Sequence, residues 1–195
     1  MKNPDIIRAT EPVTNAFEKL GVPYYIGGSV ASSAYGLPRS TMDVDIVSEL
    51  TRKHVRPFVT KLEVMYYIDA KMILEAIEHN SSFNIIHLET MLKIDVFIPP
   101  NTSFAKETFN RRRKDTLDEE QKDSKFYLAS PEDVILNKLI WYLRGGGASK
   151  QQLRDVMGIL AIQGSIDSNY LKSWAQKLQV EEVLKKLFRE AGIDL

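Results

Sequence analysis

The chain contains no cysteine. Disulfides, zinc–thiolate centres and cysteine nucleophiles are therefore excluded. The histidines, His54, His79 and His87, have no metal-ligand spacing and read as structural or surface groups. Net charge is also missing, because 26 Lys and Arg balance 26 Asp and Glu. That balance excludes a protein that coats polyanions through its global field, but not one with a local basic groove. No apolar stretch approaches the roughly 18 residues that a membrane-spanning helix needs. Met1 to Ala9 mixes acid and base without an apolar run, so no signal peptide is expected there, and a cytoplasmic location is. Internal repeats and low-complexity tracts are absent as well.

What remains is an ordinary globular composition. The chain has 195 residues, of which 44% are hydrophobic and 27% charged, which rules out a disordered segment and fits one large domain or two small ones. A first helix is expected from about Thr10, with Pro12 in its first turn and Gly21 closing it. Tyr24–Ile26 reads as a short strand, broken by Gly27 and Gly28. Ser29–Tyr35 then reads as a short helix. Met42–Val47 alternates as a strand, with Met42, Val44 and Ile46 on one face and Asp43 and Asp45 on the other. Helices are expected at 53–62 and 70–78, and strands at 64–67, 83–88 and 92–98. Pro99 and Pro100 mark a seam. A helix over 103–114 is expected to end in the basic run Arg111, Arg112, Arg113, Lys114. A loop to Lys125 and a strand over 125–129 complete this part. Ser130 reads as an N-cap with Pro131 at the first helical position. Further helices follow at 149–163, 168–178 and 180–191. The segments are 1–100 as an α/β domain, 101–129 as a charged connection, and 130–195 as a helical domain. The fold class is α+β: a mixed sheet flanked by helices, then a C-terminal helical bundle.

The informative stretch runs from Tyr25 to Val47. Gly27 and Gly28 after a strand let the backbone approach a bulky anion. A helix starting at Ser29 offers free N–H groups to it, and the Ser29 hydroxyl adds a donor. Such a loop suits a triphosphate. Asp43 and Asp45 point the same way, and paired carboxylates suit a hard divalent cation such as Mg2+. Asp95 lies among Ile94, Val96, Phe97 and Ile98, where an unpaired carboxylate is costly. On a neighbouring strand it completes a three-carboxylate site for two metal ions, and it is the candidate acceptor of a proton. Its other reading is a structural ion pair with Lys93 or an arginine. Arg39, just ahead of the carboxylates, is a candidate phosphate or carboxylate contact. The run Arg111–Lys114 reads first as a solvated helix end and second as an RNA or phosphate contact. Trp141 and Tyr142 read as core.

Gly-Gly-Ser, a short helix, Asp-x-Asp and then a hydrophobic-Asp-hydrophobic strand resemble the nucleotidyltransferase superfamily that includes DNA polymerase β. The wording Arg39-Ser40-Thr41-Met42-Asp43-Val44-Asp45 resembles a bacterial branch that holds the AbiEii-type abortive-infection toxins. Ser130-Pro131-Glu132-Asp133 with Lys138, and Arg154-Asp155-Val156, resemble the helical motifs of that branch. The resemblance covers about residues 20 to 165. It implies an enzyme that moves a nucleoside monophosphate from an NTP such as ATP to an acceptor hydroxyl with Mg2+, two ions in number. It also implies that Asp43, Asp45 and Asp95 are catalytic and metal-binding. Gly27, Gly28, Ser29, Arg39 and Lys138 then bind nucleotide, with Asp155 in support. The implied acceptor is a tRNA end or a protein, within a toxin–antitoxin system with an antitoxin partner. The competing reading is a non-catalytic nucleotide- or partner-binding module on the same fold.

Charge is uneven along the chain. Residues 1–98 hold 10 basic and 12 acidic side chains, and residues 99–195 hold 16 and 14. The candidate metal ligands fall in the first part, and Arg111–Lys114 and Lys138 in the second.

Overall fold

The computed structural model describes residues 4–117 and 124–193. The elements are α1 (Pro4–Lys19), β1 (Tyr24–Ile26), α2 (Gly28–Tyr35), β2 (Asp43–Ser48), α3 (Arg52–Leu62), β3 (Tyr66–Tyr67), α4 (Ala70–His79), β4 (Ser82–His87) and β5 (Lys93–Phe97). They continue with α5 (Ser103–Arg111), β6 (Arg113–Thr116), β7 (Lys125–Leu128), α6 (Pro131–Arg144), α7 (Lys150–Ile162), α8 (Ser168–Lys177) and α9 (Glu181–Ala191). Among the described residues, no helix is long and apolar enough to cross a membrane.

The strands form one mixed sheet of seven, in the order β3-β4-β5-β2-β1-β7-β6. β2 lies antiparallel to β1 and parallel to β5. Alternation along β2 decides which side faces the core. Val44, Ile46 and Ser48 are buried, whereas Asp43, Asp45 and Val47 are half-buried on the other face. Ile94 and Val96 of β5, and Phe83 and Ile85 of β4, join the buried side. Helices α1, α3 and α4 cover that side. Phe17 of α1 stacks on Phe58 of α3 with ring centroids 4.7 Å apart, and Tyr66 donates a hydrogen bond to the Ala9 carbonyl at 2.7 Å. The opposite face, with the aspartates, receives α2, which packs in turn on α6 and α7.

The first helix starts well before Thr10. Ile6, Ile7, Ala9 and Thr10 continue the buried stripe of Val13, Thr14 and Phe17, so core packing carries the helix upstream and leaves Pro12 in its interior. The lost N–H bond to the i−4 carbonyl is outweighed by that burial. The helix expected over 103–114 ends at Arg111, and Arg113–Thr116 instead forms β6, antiparallel to β7. This strand pairs the backbone edge that β7 would otherwise expose. Of the loop expected from Asp115, residues 118–123 lie outside the described residues.

Candidate active site

β1 ends at Ile26, and the Gly27 N–H bonds the Asp45 carbonyl at 2.9 Å. The chain then turns into α2 through Gly28, whose φ of +53° is a left-handed conformation suited to glycine. The turn brings the start of α2 onto the Asp45 side chain. A Cβ built on Gly28 lies 1.7 Å from Asp45 Oδ2, so only glycine fits. The backbone N–H of Ser29 bonds the same carboxylate. The loop and the second aspartate of Asp-x-Asp are thus one packed unit.

The parallel register of β2 and β5 sets Asp43 opposite Lys93 and Asp45 opposite Asp95. All three candidate carboxylates therefore leave one face of two adjacent strands. Burial pushes the Asp45 carboxyl above the usual range, Asp43 and Asp95 push it further, and Lys138 with the Ser29 N–H opposes them. The Thr41 hydroxyl donates to Asp43 Oδ1 at 2.7 Å. Asp95 is engaged by Lys93, with Nζ 2.6 Å from Oδ2. Among the described residues, no group of three or more acids or histidines is drawn together as a finished metal cage. The donor set still fits a divalent ion. It is all oxygen, and three carboxylates share this face with Lys93 as the ammonium beside Asp95.

Lys138 of α6 and Asp155 of α7 meet beside α2, whose Ser32 hydroxyl lies 3.4 Å from Asp155 Oδ2. Lys138 Nζ lies 2.6 Å from Asp155 Oδ2, and each side chain is only 6% exposed. Lys138 is therefore not on a solvated helix face, and Asp155 does not pair with Lys150 or Arg154. Asp155 also accepts from Gln151 Nε2 at 2.8 Å and from Arg39 Nε at 3.2 Å. Burial raises its carboxyl, but Lys138, Gln151 and Arg39 together hold it below the usual range. Arg39 donates as well to the Ser29 hydroxyl. One carboxylate thus holds two cations, Arg39 and Lys138, beside the entry into α2. Thr41 stands within the motif wording, whereas Ser32 and Gln151 carry no sequence signal of their own here. Gln151 stands four residues before Asp155, which is the one local hint.

The first half of the basic run is built into the protein, while Arg113 and Lys114 stay exposed. Arg111 pairs with Glu132 at 3.1 Å and stacks on the Tyr170 ring at 3.9 Å. Arg112 lies over Tyr127, and Lys114 reaches Glu18 at 3.8 Å. Arg113 and Lys114 belong to β6, the sheet edge farthest from β5 on the β1 side. Trp141 is 51% exposed rather than core. It meets Phe97 edge-on at 6.5 Å, with Arg144 over its ring. The buried stripe of α6 is spent on Val134, Ile135, Lys138 and Leu139, one turn earlier. His87 is buried against Thr90, and His54 caps α3.

No family model matches the chain, and no curated sequence matches it. Solved structures do. A nucleotidyltransferase-like antigenic protein from Paracoccidioides brasiliensis superposes with a TM-score of 0.56 at 16% identity, over 98% of this chain and 95% of that one. The antibiotic-resistance factor ANT(2'')-Ia in solution gives 0.52 at 10% identity, over 96% and 95%. The crystal structure of ANT(2'')-Ia with adenylyl-2''-tobramycin gives 0.53 at 12% identity, over 95% and 98%. The chain has the fold of these proteins.

Proposed function

We propose that the chain is a nucleotidyltransferase that transfers a nucleoside monophosphate from an NTP to an acceptor hydroxyl. One observation carries the reading: Asp43, Asp45 and Asp95 share a face of β2 and β5, against the Gly27-Gly28-Ser29 entry into α2. The shared fold is consistent with it.

The triphosphate lies along the start of α2. The N-terminal N–H groups of that helix and the Ser29 hydroxyl donate to its oxygens. Arg39 and Lys138 supply charge on the same side, released from Asp155 to the degree that phosphate oxygens replace its carboxylate. Divalent metal held by Asp43 and Asp45, with Asp95, would offset triphosphate charge and make the acceptor hydroxyl more acidic. Transfer needs the entering and leaving oxygens on opposite sides of the α-phosphorus. The leaving end sits toward α2, so the acceptor enters over β5 and β4, where Ser82 and Asn84 are exposed, with the exposed Tyr67 of β3 beyond them. Its hydroxyl proton passes to Asp95, the new O–P bond forms, and pyrophosphate leaves with the broken one.

The acceptor class follows the motif wording around Arg39–Asp45: a tRNA end or a protein hydroxyl, in a toxin–antitoxin pair. An adenylylated small molecule, as in the tobramycin complex of ANT(2'')-Ia, is the comparison arm. Incubation with α-labelled NTPs, Mg2+ and cell extract tests the reading. Label should move to macromolecule, and Asp43→Ala with Asp45→Ala should abolish the transfer. Undiminished transfer by that double variant, or none by the native chain, sinks the proposal.

A further inference from the structure

Lys93 and Asp95 are two residues apart on β5, so their side chains leave the same face of the sheet. Lys93 Nζ lies 2.6 Å from Asp95 Oδ2. The register also sets Lys93 opposite Asp43, and Asp95 opposite Asp45. A single ammonium thus stands among the carboxylates read above as metal ligands. Lys138, the other cation near Asp45, is held by Asp155 at 2.6 Å. Lys93 differs from it in access. Its side chain is 45% exposed, against 6% for Lys138. A lysine with a four-carbon stem half in water can leave its partner without any backbone change.

An ammonium and a divalent ion on the same carboxylate repel each other, and the lysine is covalently present at every metal concentration. We propose that Lys93 is a displaceable internal counter-cation that competes with divalent metal for Asp95. In the nucleotide-free protein, metal is then held through Asp43 and Asp45, and Asp95 joins only when Lys93 swings into solvent. Lys93 is a positioning residue in this scheme, since it acts through Asp95. The inference rests on the metal-site reading of the carboxylates and adds a residue that controls it.

The test is Mn2+ binding to the full chain without nucleotide, read as free Mn2+ by electron paramagnetic resonance at constant ionic strength. Lys93→Met should bind Mn2+ at least about tenfold more tightly than the native chain. Lys93→Arg, which keeps the charge, should stay with the native chain. Asp95→Ala placed in the Lys93→Met background should remove the gain. Thermal melts of each variant establish that it is folded. Equal affinity of the native chain and Lys93→Met overturns the Lys93 proposal and leaves the metal site standing, provided Asp43→Ala with Asp45→Ala abolishes binding. Binding that survives the double aspartate variant, or no Mn2+ binding by any variant, overturns the metal-site reading and the Lys93 proposal with it.

Discussion

The carboxylate of Asp45 occupies the space in which a side chain on Gly28 would begin, with Oδ2 only 1.7 Å from an ideal Cβ there. Gly28→Ala must therefore expel the Asp45 carboxylate and also hold a left-handed φ, at a cost of about 1–2 kcal/mol for the backbone alone. Nucleotide binding and label transfer should both be lost. Gly27 is a useful contrast, because a Cβ there meets only Tyr25 Cε2, at 4.0 Å. Gly27→Ala should lower the melting temperature much less. Similar melting temperatures and similar activity in the two variants would contradict this packing argument.

Lys138 and Asp155 are a nearly enclosed ion pair. Removing one partner strands the other charge, so Asp155→Asn should destabilise the fold by about 3–5 kcal/mol in chemical denaturation. Lys138→Met should cost less, since Arg39 and Gln151 still hold Asp155. The pH dependence has a defined sign. The folded Asp155 carboxyl titrates below its usual range, so its contribution is present above the unfolded value of about 3.9 and fades as pH falls through the folded value. Asp155→Asn should flatten that acid limb.

Asp45 behaves in the opposite sense. Burial, with Asp43 and Asp95, raises its carboxyl in the folded state. Its contribution is then full below the unfolded value and is lost as pH rises through the folded one, so at neutral pH the charge works against the fold. Asp45→Asn keeps an acceptor for the Ser29 N–H and should raise the melting temperature, by about 2–4 °C for each kcal/mol relieved. Mg2+ should stabilise the native chain and leave this variant nearly unmoved. A melting temperature that falls in Asp45→Asn would show that the charge is already compensated.

Gly36 closes α2 against α7, and a Cβ there would stand 2.8 Å from the backbone at Gly158 and Ile159. Backbone cannot rotate away, so α7 must move. Gly36→Ala should cost about 1–3 kcal/mol. It should also weaken NTP binding in a calorimeter, because α7 carries Asp155 and with it the setting of Arg39 and Lys138. Native affinity in a destabilised Gly36→Ala would separate the packing from the site.

The carboxylate half of the site was legible because its signals are local. Strict alternation in β2 put Asp43 and Asp45 on one face, and two glycines before Ser29 marked the close approach. The cation half was not. Lys138 and Asp155 come from different helices, and nothing near either one in the chain names its partner. The motif resemblance selected both residues, but their mutual ion pair belongs to the packing of α6 on α7. Arg111 misled for the same reason, since the Tyr170 ring and Glu132 that hold it lie far along the chain. Trp141 looked apolar enough for the core, yet α6 spends its buried stripe before reaching it. The start of α1 was missed because Pro12 seemed to announce a first turn, when the apolar spacing already ran upstream to Ile6.

The placement of Lys138 and Asp155 on α6 and α7 also has a consequence during synthesis. Domains assemble as the chain emerges, N-terminal part first. Asp43, Asp45 and Asp95 are all made before Pro99, so the anionic wall can form while its cationic counterpart is still inside the ribosome. A nascent chain stopped before α7 carries clustered negative charge with neither the Lys138–Asp155 pair nor the anchored Arg39. In such a chain α2 and its entry loop can form before Arg39 and Lys138 are set, and those two cations reach their fixed positions only when α7 emerges and docks.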